Sequence, residues 1–234
     1  MGELIRRRGM CKVGGGEDPN DGYYGNNLVV RLDGIKNTRQ GHQSALTNWE
    51  NLISSTYDFA LTNPTVNADS VYFPASCGAI CEDALTMPTN YTIEVYFSLG
   101  TEQAYIANDS VLVEMMKSNQ YGIMVYYKWN SFYCYPNNGI ALTASNLTKD
   151  QKYGVSLVKN GSNATVYVNG TQYAQKGASN SSQSIVKTRL SGKLNNVAYS
   201  ANMLPTIYSV RVYTDALSAS TVLSNYNNDV ARFS

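Results

Sequence analysis

Apolar and polar positions fall into two regimes along the chain. Before Leu28 there is no sustained period: "RRR" at Arg6 to Arg8, "GGG" at Gly14 to Gly16 and "EDPNDG" at Glu17 to Gly22 break any pattern. Residues 1–25 are therefore expected to form an extended arm, with residues 26–234 as the folded domain. From Leu28 short apolar runs alternate with turn residues. "LVVRLDG" (Leu28 to Gly34) and "SVYF" (Ser70 to Phe73) read as strands. "YTIEVYFSL" (Tyr91 to Leu99) alternates strictly. Ile93, Val95, Phe97 and Leu99 share an inner face, and Thr92, Glu94, Tyr96 and Ser98 a wet one.

Turn chemistry strengthens the β pattern. "QKYGVSLVKNGSNATVYVNGTQYAQ" holds two Asn-Gly pairs, Asn160-Gly161 and Asn169-Gly170. Asn-Gly supplies the positive φ angles of type I′ turns, so three strands in a meander are predicted. A third pair, Asn138-Gly139, follows the aromatic stretch. Near the end "IYSVRVY" (Ile207 to Tyr213) is a strand. "LSASTVLSNYNNDV" then turns helical, with Ser218 as N-cap and Val222, Leu223, Tyr226 and Val230 on one stripe.

The densest aromatic segment is "MVYYKWNSFYCY", Met124 to Tyr135. It reads as a strand that turns near Asn130-Ser131 and returns. Val125, Tyr127 and Trp129 share one face; Met124, Tyr126 and Lys128 share the other. One set fills the sheet interior, and the other is free to stack on sugar rings or to anchor a protein interface. Trp129, Tyr133, Tyr135 and Tyr127 are the candidate ligand-facing residues.

Composition agrees. Nineteen tyrosines stand against five phenylalanines, and Asn, Ser and Thr are abundant, as suits pleated surfaces and tight turns. A net charge of +1 leaves no electrostatic footprint for nucleic acid or an anionic membrane. The cysteines Cys11, Cys77, Cys81 and Cys134 are expected as free thiols. The one histidine, His42, is too little for a zinc site beside the Cys77/Cys81 pair.

"LVVRLDGIKNTRQGHQSALTNWENL", "TIEVYF", "TVYVNGTQY" and "IYSVRVYTDALSASTVLSNYNND" together resemble a laminin-G-like or concanavalin-A-like jelly roll. Such domains occur in phage structural proteins and bacterial surface proteins. The resemblance spans roughly residues 28–232. It implies an all-β, antiparallel β-sandwich with a short C-terminal helix, glycan or protein binding, and in some members a calcium ion. After Trp49 this chain reads Glu50-Asn51-Leu52, then Tyr57-Asp58, with no Asp-x-Asp ladder, so no cofactor is expected.

Laminarinase-type hydrolases of this fold carry Glu-x-Asp-x-x-Glu on one strand, a pattern missing here. Retaining chemistry needs two carboxylates about 5 Å apart. Glu94, Asp150, Asp215 and Asp229 read as solvated acids, and His42 has no nucleophile elbow near it. The chain is accordingly expected not to be an enzyme. With no signal peptide evident, the first reading is a bacteriophage virion protein, made in the host cytoplasm: a head decoration, head fibre or tail-associated protein. Its arm would dock on capsid or tail proteins through Leu4, Ile5, Arg6, Arg7 and Arg8. A homo-oligomer is expected, with bacterial or mucus glycans as outer partners. The alternative is a carbohydrate-binding or adhesion module of a bacterial surface protein.

Overall fold

The computed structural model describes residues 21–74, 77–99, 110–118, 121–128, 131–136, 142–145, 148, 151–191 and 205–234. Among them the chain runs through β1 (Leu28–Asp33), β2 (Asn48–Trp49), β3 (Phe59–Thr62), β4 (Thr65–Val66), β5 (Val71–Tyr72), β6 (Gly78–Cys81) and β7 (Leu85–Met87). Then come β8 (Tyr91–Leu99), β9 (Ser110–Met116), β10 (Tyr121–Lys128), β11 (Ser131–Tyr135), β12 (Leu142–Ser145), β13 (Lys152–Asn160) and β14 (Asn163–Val168). The last elements are β15 (Thr171–Gly177), β16 (Gln183–Ile185), β17 (Lys187–Leu190), β18 (Pro205–Tyr213) and the helix α1 (Ala219–Arg232).

The first sheet has the order β15-β14-β13-β8-β18-β5-β4, with β1 also on β18; the second is β12-β11-β10-β9-β17-β6-β3-β2. β7 and β16 form a small ribbon. The chain is an antiparallel β-sandwich. Inner-face residues of both sheets share one core, including Val95 and Phe97 of β8, Val125 of β10, Phe132 of β11 and Val212 of β18. The sheets meet where the Phe97 and Phe132 rings cross edge to face at 5.3 Å. Trp49 is fully buried and donates its indole N–H to the Asp33 carbonyl at 3.1 Å. Cys77, Cys81 and Cys134 are buried free thiols.

The meander forms, with one turn of a different type from that expected. β14 and β15 are joined by Asn169 and Gly170, both at positive φ (51° and 72°), as a type I′ turn requires. In the β13–β14 hairpin Asn160 pairs with Asn163, so the loop is Gly161-Ser162. There only Gly161 has positive φ (56°), the pattern of a turn with glycine at its first central position. Asn138-Gly139 lies outside the described residues.

The face of β8 expected to be wet is covered. Thr92, Glu94 and Tyr96 are buried, because α1 lies over this side of the first sheet. Ser218 caps the helix as expected, accepting from the Thr221 N–H at 3.2 Å. Its buried stripe is Val222, Asn225 and Asp229, while Leu223 and Val230 are 44% and 41% exposed. The predicted apolar stripe is wrong because the sheet beneath carries charge. Asn225 and Asp229 follow the same helical spacing and are the groups that can answer it. Asp229 and Glu94, expected to be solvated, are 2% exposed each.

Arg211 of β18 is the hub. Its guanidinium donates to Asp229 Oδ1 and Oδ2 at 2.8 and 2.6 Å and to Glu94 Oε2 at 2.8 Å. Asn225 adds a bond to Glu94 Oε2 at 2.9 Å, and Ser209 one to Asp229 at 2.9 Å. Burial raises the Glu94 carboxyl above its usual range even against Arg211.

Residues 21–24, placed in the arm by the sequence, are fastened to the domain. Tyr23 donates to Asp229 at 2.8 Å with its ring 4.2 Å from the Arg211 guanidinium. Asp21 pairs with Arg31, Lys36 and Arg232. Asn228 donates to the Gly22 carbonyl at 2.6 Å. Ordered packing thus begins by Asp21, earlier than the expected boundary at residue 26, because tyrosine and aspartate in "DGYYG" find charged partners across the chain.

Candidate functional site

The aromatic hairpin decides where its rings go by register. β10 and β11 pair Met124 with Tyr135, Tyr126 with Tyr133 and Tyr127 with Phe132. Directly opposed residues in an antiparallel pair point to the same side. Tyr127, Phe132, Val125 and Cys134 face inward and belong to the main core. Tyr126, Tyr133, Tyr135 and Met124 face outward and form a separate cluster with Val111 of β9.

On that outer face three tyrosine rings stack. Tyr126 lies between the other two, 5.1 Å from Tyr133 and 5.6 Å from Tyr135, with interplanar angles of 14° and 16°. Its hydroxyl donates to the Tyr135 hydroxyl at 3.4 Å. Tyr126 is buried, and Tyr133 and Tyr135 are half-buried. The outer two rings therefore keep exposed surface on a rigid, pre-stacked slab. Parallel rings of this kind offer a flat π surface for the C–H face of a sugar and hydroxyls for its rim.

The same face continues across the sheet. Glu114 of β9 is opposite Met124, and Arg189 of β17 is opposite Glu114. Ile80 of β6 follows, opposite Arg189. A row thus runs Tyr135, Met124, Glu114, Arg189, Ile80. Glu114 is 0% exposed and neither carboxylate oxygen has a hydrogen-bond partner. Burial raises its carboxyl above the usual range, and the nearby Arg189 charge opposes that shift.

Of the ligand-facing residues expected from sequence, the structure brings Tyr133 and Tyr135 together on this face. Tyr127 does not join them: it is 5% exposed on the core side, since it is an odd number of positions from Tyr126. Trp129 lies outside the described residues, as do the docking candidates Leu4, Ile5, Arg6, Arg7 and Arg8. Glu114 and Arg189 were missed. The available signal was a lone acid inside the otherwise apolar "SVLVEMM", which no wet-face alternation explains.

The helix side offers little to a ligand. Glu94 and Asp229 are saturated by Arg211, Asn225, Ser156, Tyr23 and Ser209. A shallow polar cavity of about 320 Å³ lies between Gly22–Tyr24 and the helix residues Ser220, Thr221, Ser224 and Asn225. The acids after Trp49 are engaged too: Asp58 takes two bonds from Arg39 and one from the Asn51 N–H, and Glu50 one from the Arg39 N–H. Among the described residues no group of three or more His, Cys, Asp or Glu side chains is placed to hold a metal ion.

No protein-family model matches the chain, and no curated protein matches it in sequence. Solved structures do match its fold. The Trypanosoma rangeli sialidase in complex with sialic acid is similar at a TM-score of 0.67 and 16% identity, over 86% of this chain and 32% of the sialidase. The receptor binding domain of botulinum neurotoxin C/D mosaic serotype gives 0.65 and 13%, over 88% and 52%. The botulinum neurotoxin serotype D binding domain gives 0.64 and 13%, over 91% and 53%. The chain spans about a third of the sialidase's length and about half that of the toxin domains. At these identities the likeness is one of fold. It nevertheless overturns the expectation that the chain is not an enzyme, because sialidases share this sandwich. That expectation rested on two missing motifs, which rule out two chemistries and leave others untouched, and on acids assumed to be solvated that are in fact buried.

Proposed function

We propose that the chain is a carbohydrate-binding or adhesion module whose ligand lies on the tyrosine face of the second sheet. The observation that carries this is the stack of Tyr126, Tyr133 and Tyr135, with the outer two rings half-buried on a flat sheet surface. Half-exposed tyrosines in a fixed stack lose little freedom when a sugar ring settles on them, so binding costs less ordering. The solved structures with this fold include one named for a sialic acid complex and one named as a receptor binding domain, which supports the same reading. The more specific reading of a phage virion protein docked through Leu4, Ile5 and Arg6 to Arg8 has no counterpart among these neighbours. We do not carry it further.

A printed glycan array probed with the full chain, with Tyr133→Ala and with Tyr135→Ala tests the assignment. Binding of defined sugars by the parent, weakened about tenfold or more in each variant, supports it; each lost ring contact is worth about 0.5–1.5 kcal/mol beyond its area. Undiminished binding by both variants moves the site elsewhere.

A further inference from the structure

Four acidic side chains are buried among the described residues: Asp33, Glu94, Asp229 and Glu114. Three are fully answered. Asp33 accepts from Arg232 at 2.8 Å and from the Ile35 N–H at 2.9 Å, and Glu94 and Asp229 share Arg211. Glu114 alone has no hydrogen bond to either oxygen. A fold that pairs its other buried acids so completely has an exception here that calls for a reason beyond stability.

Its position supplies one. Glu114 is off the main core, in the outer row between Met124, which is opposite Tyr135, and Arg189. Tyr135 and Arg189 are three strand spacings apart, roughly 14 Å at about 4.8 Å per spacing. That is the scale of a short oligosaccharide. A sugar stacked on tyrosine rings still carries hydroxyl hydrogens that must find acceptors when water is displaced. A carboxylate with both oxygens open takes two neighbouring hydroxyls at once, and charged acceptors make the stronger hydrogen bonds.

We infer that Glu114 is the polar anchor of the glycan face, a carboxyl group left without a protein partner so that vicinal hydroxyls of a sugar on Tyr133 and Tyr135 supply the missing hydrogen bonds. This rests on the glycan-binding reading above and specifies its ligand as a hydroxyl-rich sugar rather than an apolar or peptide partner. Arg189, directly opposite, offsets the charge of the anchor.

The test separates stability from binding. Glu114→Met keeps the side chain's bulk and removes the unanswered carboxyl; Glu114→Gln keeps the shape and removes the charge. Each is measured in the full-length protein by urea unfolding, and by calorimetric titration with the methyl glycoside of the sugar bound most strongly on the array. The expected result for Glu114→Met is a higher urea midpoint with at least a tenfold loss of affinity, and for Glu114→Gln a smaller loss. Parent-like affinity in both variants, while Tyr135→Ala loses binding, overturns the anchor and leaves the tyrosine site standing. Falling stability together with falling affinity in both variants makes Glu114 a structural residue and also overturns it. A parent protein that binds no sugar removes the glycan reading and the anchor with it.

Discussion

Arg211 and Asp229 face each other beneath the C-terminal helix in a two-pronged pair, Nη1 to Oδ1 at 2.8 Å and Nη2 to Oδ2 at 2.6 Å, with both side chains about 2–3% exposed. The same guanidinium holds Glu94. Removing one member leaves the others charged and dry. Arg211→Ala is expected to destabilise the domain by about 3–5 kcal/mol, and Asp229→Ala by a similar amount, because breaking a buried pair leaves an uncompensated charge. Urea denaturation followed by tryptophan fluorescence reads this directly. A loss under about 1 kcal/mol in either variant would show that water reaches the network.

Acid should loosen the N-terminal fastening. Burial alone would raise the Asp21 carboxyl, but the Arg31 hydrogen bond and charge, with Lys36 and Arg232, hold it below its usual value of 3.8. A lowered folded-state value contributes stability that is present above the unfolded value and is lost as pH falls through the folded one. Asp21→Asn should therefore be less stable than the parent at neutral pH, with the gap closing below about pH 4. Unfolding midpoints for the two proteins between pH 2 and 7 check both the sign and the window.

The buried thiols should be silent. Burial pushes Cys134 up to about 12 and Cys81 to about 11, and the thiolate is the reactive form. In a Cys11→Ser background, a thiol reagent at pH 8 is expected to label none of Cys77, Cys81 and Cys134 until denaturant is added. Rapid native labelling of Cys134 would contradict its place between the sheets.

Gly34 follows β1 at a point where the chain passes against the segment before β5. A Cβ built there would meet the Asp69 carbonyl oxygen at 2.0 Å and its carbon at 2.4 Å. Backbone cannot swing aside as a side-chain tip can, so Gly34→Ala is expected to cost about 1–3 kcal/mol or more. The shift in thermal midpoint measures it; an unchanged midpoint would mean that the two segments part readily.

Strand content, the meander, the Ser218 cap and the sandwich itself were legible because each rests on a local signal: period-two alternation, Asn-Gly turns, or a hydroxyl before a helical run. What was not legible depended on who covers whom. The alternation of "YTIEVYFSL" correctly separates Glu94 from Val95, yet it cannot say that a helix more than a hundred residues later closes over Glu94. Asn225 and Asp229 look like an exposed polar stripe until Arg211 is known to lie below them. In the aromatic hairpin the two faces were separable, but which one was interior depended on Phe132 meeting Phe97 across the core. Tyr127 was misassigned for that reason, whereas Tyr133 and Tyr135 share a face by register alone.

An amphipathic helix on a greasy sheet can slide or roll with modest loss, since one aliphatic contact replaces another. The seat under α1 has no such tolerance. A roll of one residue would withdraw Asp229 from Arg211 and Asn225 from Glu94 together, and bring in Leu223 or Val230, which answer neither charge. The charges thus act as a keyway: they fix the helix's rotation and position, and through Tyr23 they pin the entering chain to the same alignment.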